Sequence, residues 1–385
     1  MYKQKIPILN SVIVGLILAT IPSIAYGAPC EQIRKTNETS ITFPSCGDKL
    51  WARVDQTAGS ELDELLRQGR ELADEKKYQE AIRIYQQAVR LDPKNATIYS
   101  GIAYLEAVQE NFQAAALFYQ QAIAIDPHNA KFQYGLGYAM AKLENYQAAV
   151  EAYRRASLLD RNNVNTHLGL GAALFRLEKY GEARVAYEVA IKSNPKNPEA
   201  YAAMGLVLLK ERLFPEALVH LREAEKLSPR NAEIQIKLAT ALLAAADTKG
   251  ALVALELASR LEPRNADIQF QVGEIYQAQN NTEGALRAYK RAFYVDRSLL
   301  KAKFAAAGIL LEQQNYLEAI IIYRRVIKAD PENADAHYKM GLALQGRERK
   351  GEALKAFETA LKLFEEQDNF EGKEMVESMM VELED

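Results

Sequence analysis

The sequence is poor in the residues that build active sites. Its 385 residues include two cysteines, four histidines and one tryptophan. Two cysteines cannot make a zinc site alone, and the separation of Cys30 from Cys46 excludes a Cys-x-x-Cys redox pair. His128, His167, His220 and His337 are scattered along the chain, so no metal cluster is expected. Neither Gly-x-Ser-x-Gly nor His-Glu-x-x-His occurs. Without a nucleophile, base or metal motif the chain is not expected to be an enzyme, and no cofactor is implied. A strong charge bias is missing too. Net charge is −3 and the isoelectric point about 6.0, which gives no positive field to draw nucleic acid or anionic lipid. Gly135-Leu-Gly137 and Gly169-Leu-Gly171 are followed by no Lys-Ser/Thr and preceded by no strand, so they are not phosphate loops.

What the sequence has in abundance is repetition. Tyr78 to Asn95 reads YQEAIRIYQQAVRLDPKN, with Ala81, Tyr85 and Ala88 three and four residues apart on one helical face. Pro93 then stops the helix, having no N–H to donate. The position of Ala81 recurs every 34 residues as Ala115, Ala149, Ala183, Ala217, Ala251, Ala285, Ala319 and Ala353. The position of Tyr85 stays large and apolar, through Tyr119, Tyr153, Tyr187, Leu221, Leu255, Tyr289, Tyr323 and Phe357. Residues 62–367 thus hold nine copies without an insertion, the signature of a repeat architecture. Each copy reads as two amphipathic helices. In the first they run from Leu62 to Glu75 and from Gln79 to Leu91, with Ser60 as the N-cap that starts the first near Glu61. One hairpin cannot cover its own apolar faces, so neighbours must stack.

The chain resembles the tetratricopeptide-repeat (TPR) family. That motif asks for a small residue in the first helix, here Gly69, Ala103, Gly137, Gly171, Gly205, Ala239, Gly273, Ala307 and Gly341. It then asks for the Ala, aromatic, Ala and Pro already described. The terminal proline is replaced by Arg161, Arg297 and Glu365, and the usual first-helix tryptophan is absent. The resemblance implies an all-α, right-handed α-solenoid of nine helical hairpins that works as a protein–protein interaction scaffold. It also implies a concave groove lined by first helices. In that register stand Tyr104, Lys131, Tyr134, Tyr138, Phe175, Leu206, Leu209, Ile236, Leu243, Phe270, Phe304 and Tyr338. So apolar a wall points to a bound peptide or helix, although any one ring can serve inter-hairpin packing instead. The carboxylate clamp by which some members grip chaperone C-termini is missing, since Leu66, Arg70, Lys131 and Gly135 occupy its positions.

The ends differ from the repeats. Residues 1–27 read as a secretory signal: Lys3 and Lys5, an apolar run, Pro22, then Ala25-Tyr-Gly27 at cleavage spacing. Uncleaved, Ile6 to Ile24 would nearly span a bilayer and anchor the protein to a membrane. The sequence therefore suggests an exported scaffold (periplasm, thylakoid lumen or secreted) or, alternatively, a membrane-anchored assembly factor for a multi-subunit complex. Residues 28–61 form an N-terminal extension in which Cys30 and Cys46 are expected to pair as a disulfide if exported. Residues 368–385 are expected to form a capping helix, with Met375, Val376, Met379, Met380 and Leu383 as its apolar stripe. Thr248 and Thr282 stand where other repeats place an aromatic, which predicts weaker turns in repeats six and seven.

Overall fold

The computed structural model describes residues 61–384. The signal segment, the Cys30–Cys46 pair and Ser60 lie outside the described residues. Nineteen helices make up the described chain, which divides into two compact units, residues 61–227 and 228–384. The first unit contains α1 (Glu61–Asp74), α2 (Tyr78–Leu91), α3 (Ala96–Val108), α4 (Phe112–Ile125), α5 (Ala130–Lys142), α6 (Tyr146–Leu159), α7 (Val164–Arg176), α8 (Tyr180–Ser193), α9 (Pro198–Lys210) and α10 (Phe214–Leu227). The second contains α11 (Ala232–Ala244), α12 (Thr248–Leu261), α13 (Ala266–Ala278), α14 (Thr282–Val295), α15 (Leu300–Glu312), α16 (Tyr316–Ala329), α17 (Ala334–Gln345), α18 (Lys350–Glu366) and α19 (Phe370–Glu384). Odd- and even-numbered helices up to α18 pair as hairpins, and the 34-residue spacing carries through each unit.

Small residues set the distance between the paired helices. An added Cβ at Gly69 would lie 2.4 Å from Tyr85, at Gly171 2.5 Å from Tyr187, and at Gly273 2.5 Å from Tyr289. The glycine is thus the seat of the large residue from the second helix of the same hairpin. Tyr85, Tyr153, Tyr187, Tyr289, Tyr323 and Phe357 are fully buried there, and the recurring alanines around them are fully buried as well.

The turns carry three devices that the repeat pattern does not announce. Within each hairpin one residue takes a left-handed conformation, from Lys76 (φ 64°) through Glu178 (φ 58°) and Ala246 (φ 62°) to Glu348 (φ 58°). This closes the first helix: Lys77 N–H donates to Leu72 O at 2.8 Å and Lys76 N–H to Ala73 O at 3.0 Å, a Schellman pair. Between hairpins an asparagine caps the next helix. Asn95, Asn129, Asn163, Asn197, Asn231, Asn265 and Asn333 each accept from a first-turn N–H. In five of these turns the fourth residue of the next hairpin reaches back six positions to a carbonyl. Tyr99 Oη donates to Pro93 O at 3.2 Å, Gln235 Nε2 to Pro229 O at 3.3 Å and Lys303 Nζ to Arg297 O at 2.5 Å. His167 and His337 make the same contact with Arg161 O (2.8 Å) and Pro331 O (3.1 Å). The turns at Arg161 and Arg297 therefore keep their geometry without proline.

The turns expected to be weak have their own compensation. Asp247 accepts from Gly250 N–H and Asn281 from Gly284 N–H, both at 2.9 Å, directly before Thr248 and Thr282. A side-chain cap contributes about 1 kcal/mol, which offsets the missing ring. At the far end α19 buries Val376 completely, and Met379, Met380 and Leu383 pack on the core of the preceding hairpins. Met375 departs from the expected stripe and is exposed, as are Phe370 and Val381.

Candidate protein-binding wall

The residues expected to line the groove fall into three groups. Tyr138, Phe175 and Leu209 are buried, with 8%, 6% and 2% of their surface exposed, as are Leu206 and Leu243. This corrects the picture of a continuous open wall, because these side chains are taken up by packing. The Tyr138 ring meets Phe112 edge-on at 6.1 Å, and the Phe175 ring meets Tyr180 at 5.5 Å. Tyr104, Tyr134, Ile236, Phe270, Phe304 and Tyr338 are half-buried, and Lys131 is exposed.

In the first unit the phenols gather around α4. Burial pushes the Tyr119 hydroxyl well above the usual phenol range, and the hydroxyls of Tyr134, Tyr104 and Tyr138 push it the same way. Tyr134 also packs on Tyr153 at 5.7 Å. The glycine beneath this cluster is Gly135, where a Cβ would lie 2.3 Å from Tyr119. Lys142 Nζ lies 5.6 Å from the Tyr138 ring centroid, and the Arg176 guanidinium 5.6 Å from that of Tyr146.

In the second unit the rings form a row. Phe270, Phe304 and Tyr338 hold the fifth position of three consecutive repeats, following Ile236. Each leans on the core aromatic of its own hairpin: Phe270 on Tyr289 at 5.3 Å, Phe304 on Tyr323 at 5.9 Å and Tyr338 on Phe357 at 5.9 Å. Half of each ring is therefore structural. Cations from the following repeat attend two of them, Lys301 Nζ at 4.5 Å from the Phe270 centroid and Lys339 Nζ at 4.8 Å from that of Phe304. Apolar patterning does not find these lysines or the nearby Glu274. For Glu274 the signal available was an acid at a first-helix position where no other repeat carries one, whereas the position of Lys301 is polar or charged in every repeat and gave none.

Two surface recesses, of about 590 and 360 Å3, include none of the expected wall residues. The first lies at turns, among Glu262, Arg264, Asp267 and Asp296. The second is floored by Met204 and Leu208 beside His220. No group of three or more His, Cys, Asp or Glu among the described residues is arranged to hold a metal ion. No described helix is long and apolar enough to cross a membrane.

Models of the tetratricopeptide repeat match residues 66–130, 266–299 and 334–367, and models of the TPR repeat match residues 139–178, 173–211 and 308–346. The chain belongs to the tetratricopeptide-repeat family. Among solved structures, a TPR protein from Parabacteroides merdae ATCC 43184 is similar at a TM-score of 0.52 and 16% identity, covering 66% of this chain and 100% of its own. YrrB, described as a TPR protein with an unusual peptide-binding site, is similar at a TM-score of 0.45 and 21% identity, covering 50% of this chain and 98% of its own. No curated protein sequence matches the chain. The TPR fold is that of a protein–protein interaction scaffold, and its partners are proteins or peptides.

Proposed function

We propose that this TPR protein holds a peptide or helix of a partner protein against the half-buried rings of its first helices, and that it does so outside the cytoplasm. The observation that carries the reading is the row Phe270, Phe304 and Tyr338, with Ile236 before it. These apolar groups recur at one register, and each keeps part of its surface open. Core packing alone needs only the face that touches Tyr289, Tyr323 or Phe357. A row of half-buried apolar groups at one register suits the i, i+3, i+4 anchors of an amphipathic helix or the alternate side chains of an extended peptide. Each additional ring buried contributes on the order of 1 kcal/mol before ordering costs.

The test is affinity capture with wild type beside two paired variants, Phe270→Ala with Phe304→Ala and Tyr104→Ala with Tyr134→Ala. Circular dichroism checks that each still folds. Tyr138 is unsuitable because its loss would open the core. Partners should be recovered by wild type and lost or strongly reduced with one of the pairs. Equal recovery with all three proteins would place binding elsewhere. Export rests on the signal-like residues 1–27. N-terminal sequencing of the mature protein should give a start near Ala28, whereas an intact N-terminus in the membrane fraction would favour the anchored assembly factor.

A further inference from the structure

Two neighbouring helices of the second unit carry the opposite charge to the chain as a whole. α14 and α16 hold Arg287, Lys290, Arg291, Arg324, Arg325 and Lys328 against Glu283 and Glu318, in a chain whose net charge is −3. Lys290 Nζ lies 2.5 Å from Glu318 Oε1, which places the two helices side by side. Arg287 pairs with Glu283 of its own helix, and Arg324 lies 3.5 Å from Glu352 of α18. Arg291, Arg325 and Lys328 are exposed and form no ion pair among the described residues. Large apolar side chains stand among these cations. Tyr294 is 71% exposed, Leu317 54% and Ile321 43%. On α16 Leu317, Ile321, Arg324 and Lys328 follow at i, i+4, i+7 and i+11, which makes a single ridge.

The last described helix shows the converse. The inner face of α19 is spent on the core through Val376, Met379, Met380 and Leu383. Its outer face presents Phe370, Glu374, Glu377 and Val381 at that same spacing, with Glu371 and Glu382 beside them. Phe370 and Val381 are largely exposed. Two carboxylates thus stand between two apolar groups about 16 Å apart. Lys373, the one cation of α19, is engaged by Glu365 at 2.7 Å and by Glu377 at 3.7 Å. Glu371, Glu374 and Glu382 form no ion pair among the described residues. A cap needs its inner face to be apolar and its outer face to be polar. Phe370 and Val381 serve neither need.

The two surfaces are complementary in charge, and both offer apolar contacts. α19 packs on α18, where an added Cβ at Gly372 would lie 2.6 Å from Phe364, so its exposed face turns away from the stack. That face can reach α14 and α16 only in another molecule. We propose that the outer ridge of α19 docks across the outer faces of α14 and α16 of a second copy of this chain. Its carboxylates meet Arg291, Arg325 and Lys328, and Phe370 and Val381 lie against Tyr294, Leu317 and Ile321. One such contact is small beside the roughly 800 Å2 per partner of a stable interface. Two-fold exchange uses it twice, each copy giving one α19 and receiving one, and closes the pair as a dimer. The rings Phe270, Phe304 and Tyr338 belong to first helices and take no part, so the dimer does not depend on the groove reading.

Sedimentation velocity of the full chain over a concentration series tests this, with two charge reversals. One is Glu374→Lys with Glu377→Lys on α19, and the other is Arg325→Glu with Lys328→Glu on α16. Wild type should sediment as a dimer at low salt and dissociate as salt is raised, because exposed charges are screened. Each reversal alone should weaken the dimer by roughly ten-fold or more. An equimolar mixture of the two reversed proteins should recover it, since every acidic face then meets a basic one. A wild type that stays monomeric at every concentration overturns the proposal. So does a dimer that neither reversal weakens, because its interface lies elsewhere. Weakening by both reversals without recovery in the mixture overturns the pairing of these two surfaces. All four substituted side chains are exposed, so the variants should fold, which circular dichroism checks.

Discussion

At Gly171 the ring of Tyr187 leaves no room for one more carbon. Gly171→Ala should therefore cost about 1–3 kcal/mol in urea unfolding, because the ring must move within a packed seam. Gly181, in α8, has nothing within 4 Å of an added Cβ. There the same substitution should stabilise by up to ~1 kcal/mol through helix propensity. Opposite signs for one chemical change would separate seat from surface. Glu274 gives a second residue-scale prediction. Its acid titrates near 7 when folded, against about 4.3 for an unperturbed glutamate. The folded chain then holds the proton more tightly, so this contribution is complete below about 4.3 and is lost as pH rises through 7. Glu274→Gln should melt with wild type at pH 4 and above it at pH 8. Coincident melts at both values would mean that the carboxylate is solvated.

Turn chemistry decides the elements. The left-handed residue inside each hairpin is never glycine, although glycine adopts that conformation without the Cβ clash. Ala246→Gly should accordingly stabilise by about 0.5–1 kcal/mol, read as a raised urea midpoint with an unchanged slope. Asn163→Ala should cost about 1 kcal/mol by removing the cap at Thr166 N–H. Helix positions were legible in the sequence, since α1 and α2 fall within a residue of expectation. The asparagine caps, the reach of His167 and His337 to the preceding carbonyls, and the caps at Asp247 and Asn281 were not. Each of these side chains has a bland local context, and its partner is fixed only once the turn is folded.

For the molecule, a stack of like modules is held by nearest-neighbour contacts and vulnerable at its ends. Val376 of α19 is fully buried against the last hairpins. Val376→Asp should destabilise by about 3 kcal/mol or more, since it buries an unpaired charge. The loss should be local. Hydrogen exchange should accelerate in α17 and α18 and stay slow in residues 61–227. Uniform acceleration through both units would instead show one cooperative fold. The same locality suits a scaffold, because a site on one unit does not depend on every repeat.

Period and residue size alone determined that this chain is helical hairpins in tandem. A 34-residue recurrence of small and large apolar residues has one economical way to leave water, and that way is stacking. Which rings stay open was settled only in three dimensions. Tyr138 and Phe270 are both aromatics on first helices, yet one is buried against Phe112 while the other stays half-buried. The solvation of Glu274 was likewise decided by its neighbours, because a carboxylate's cost depends on what surrounds it rather than on its place in the repeat.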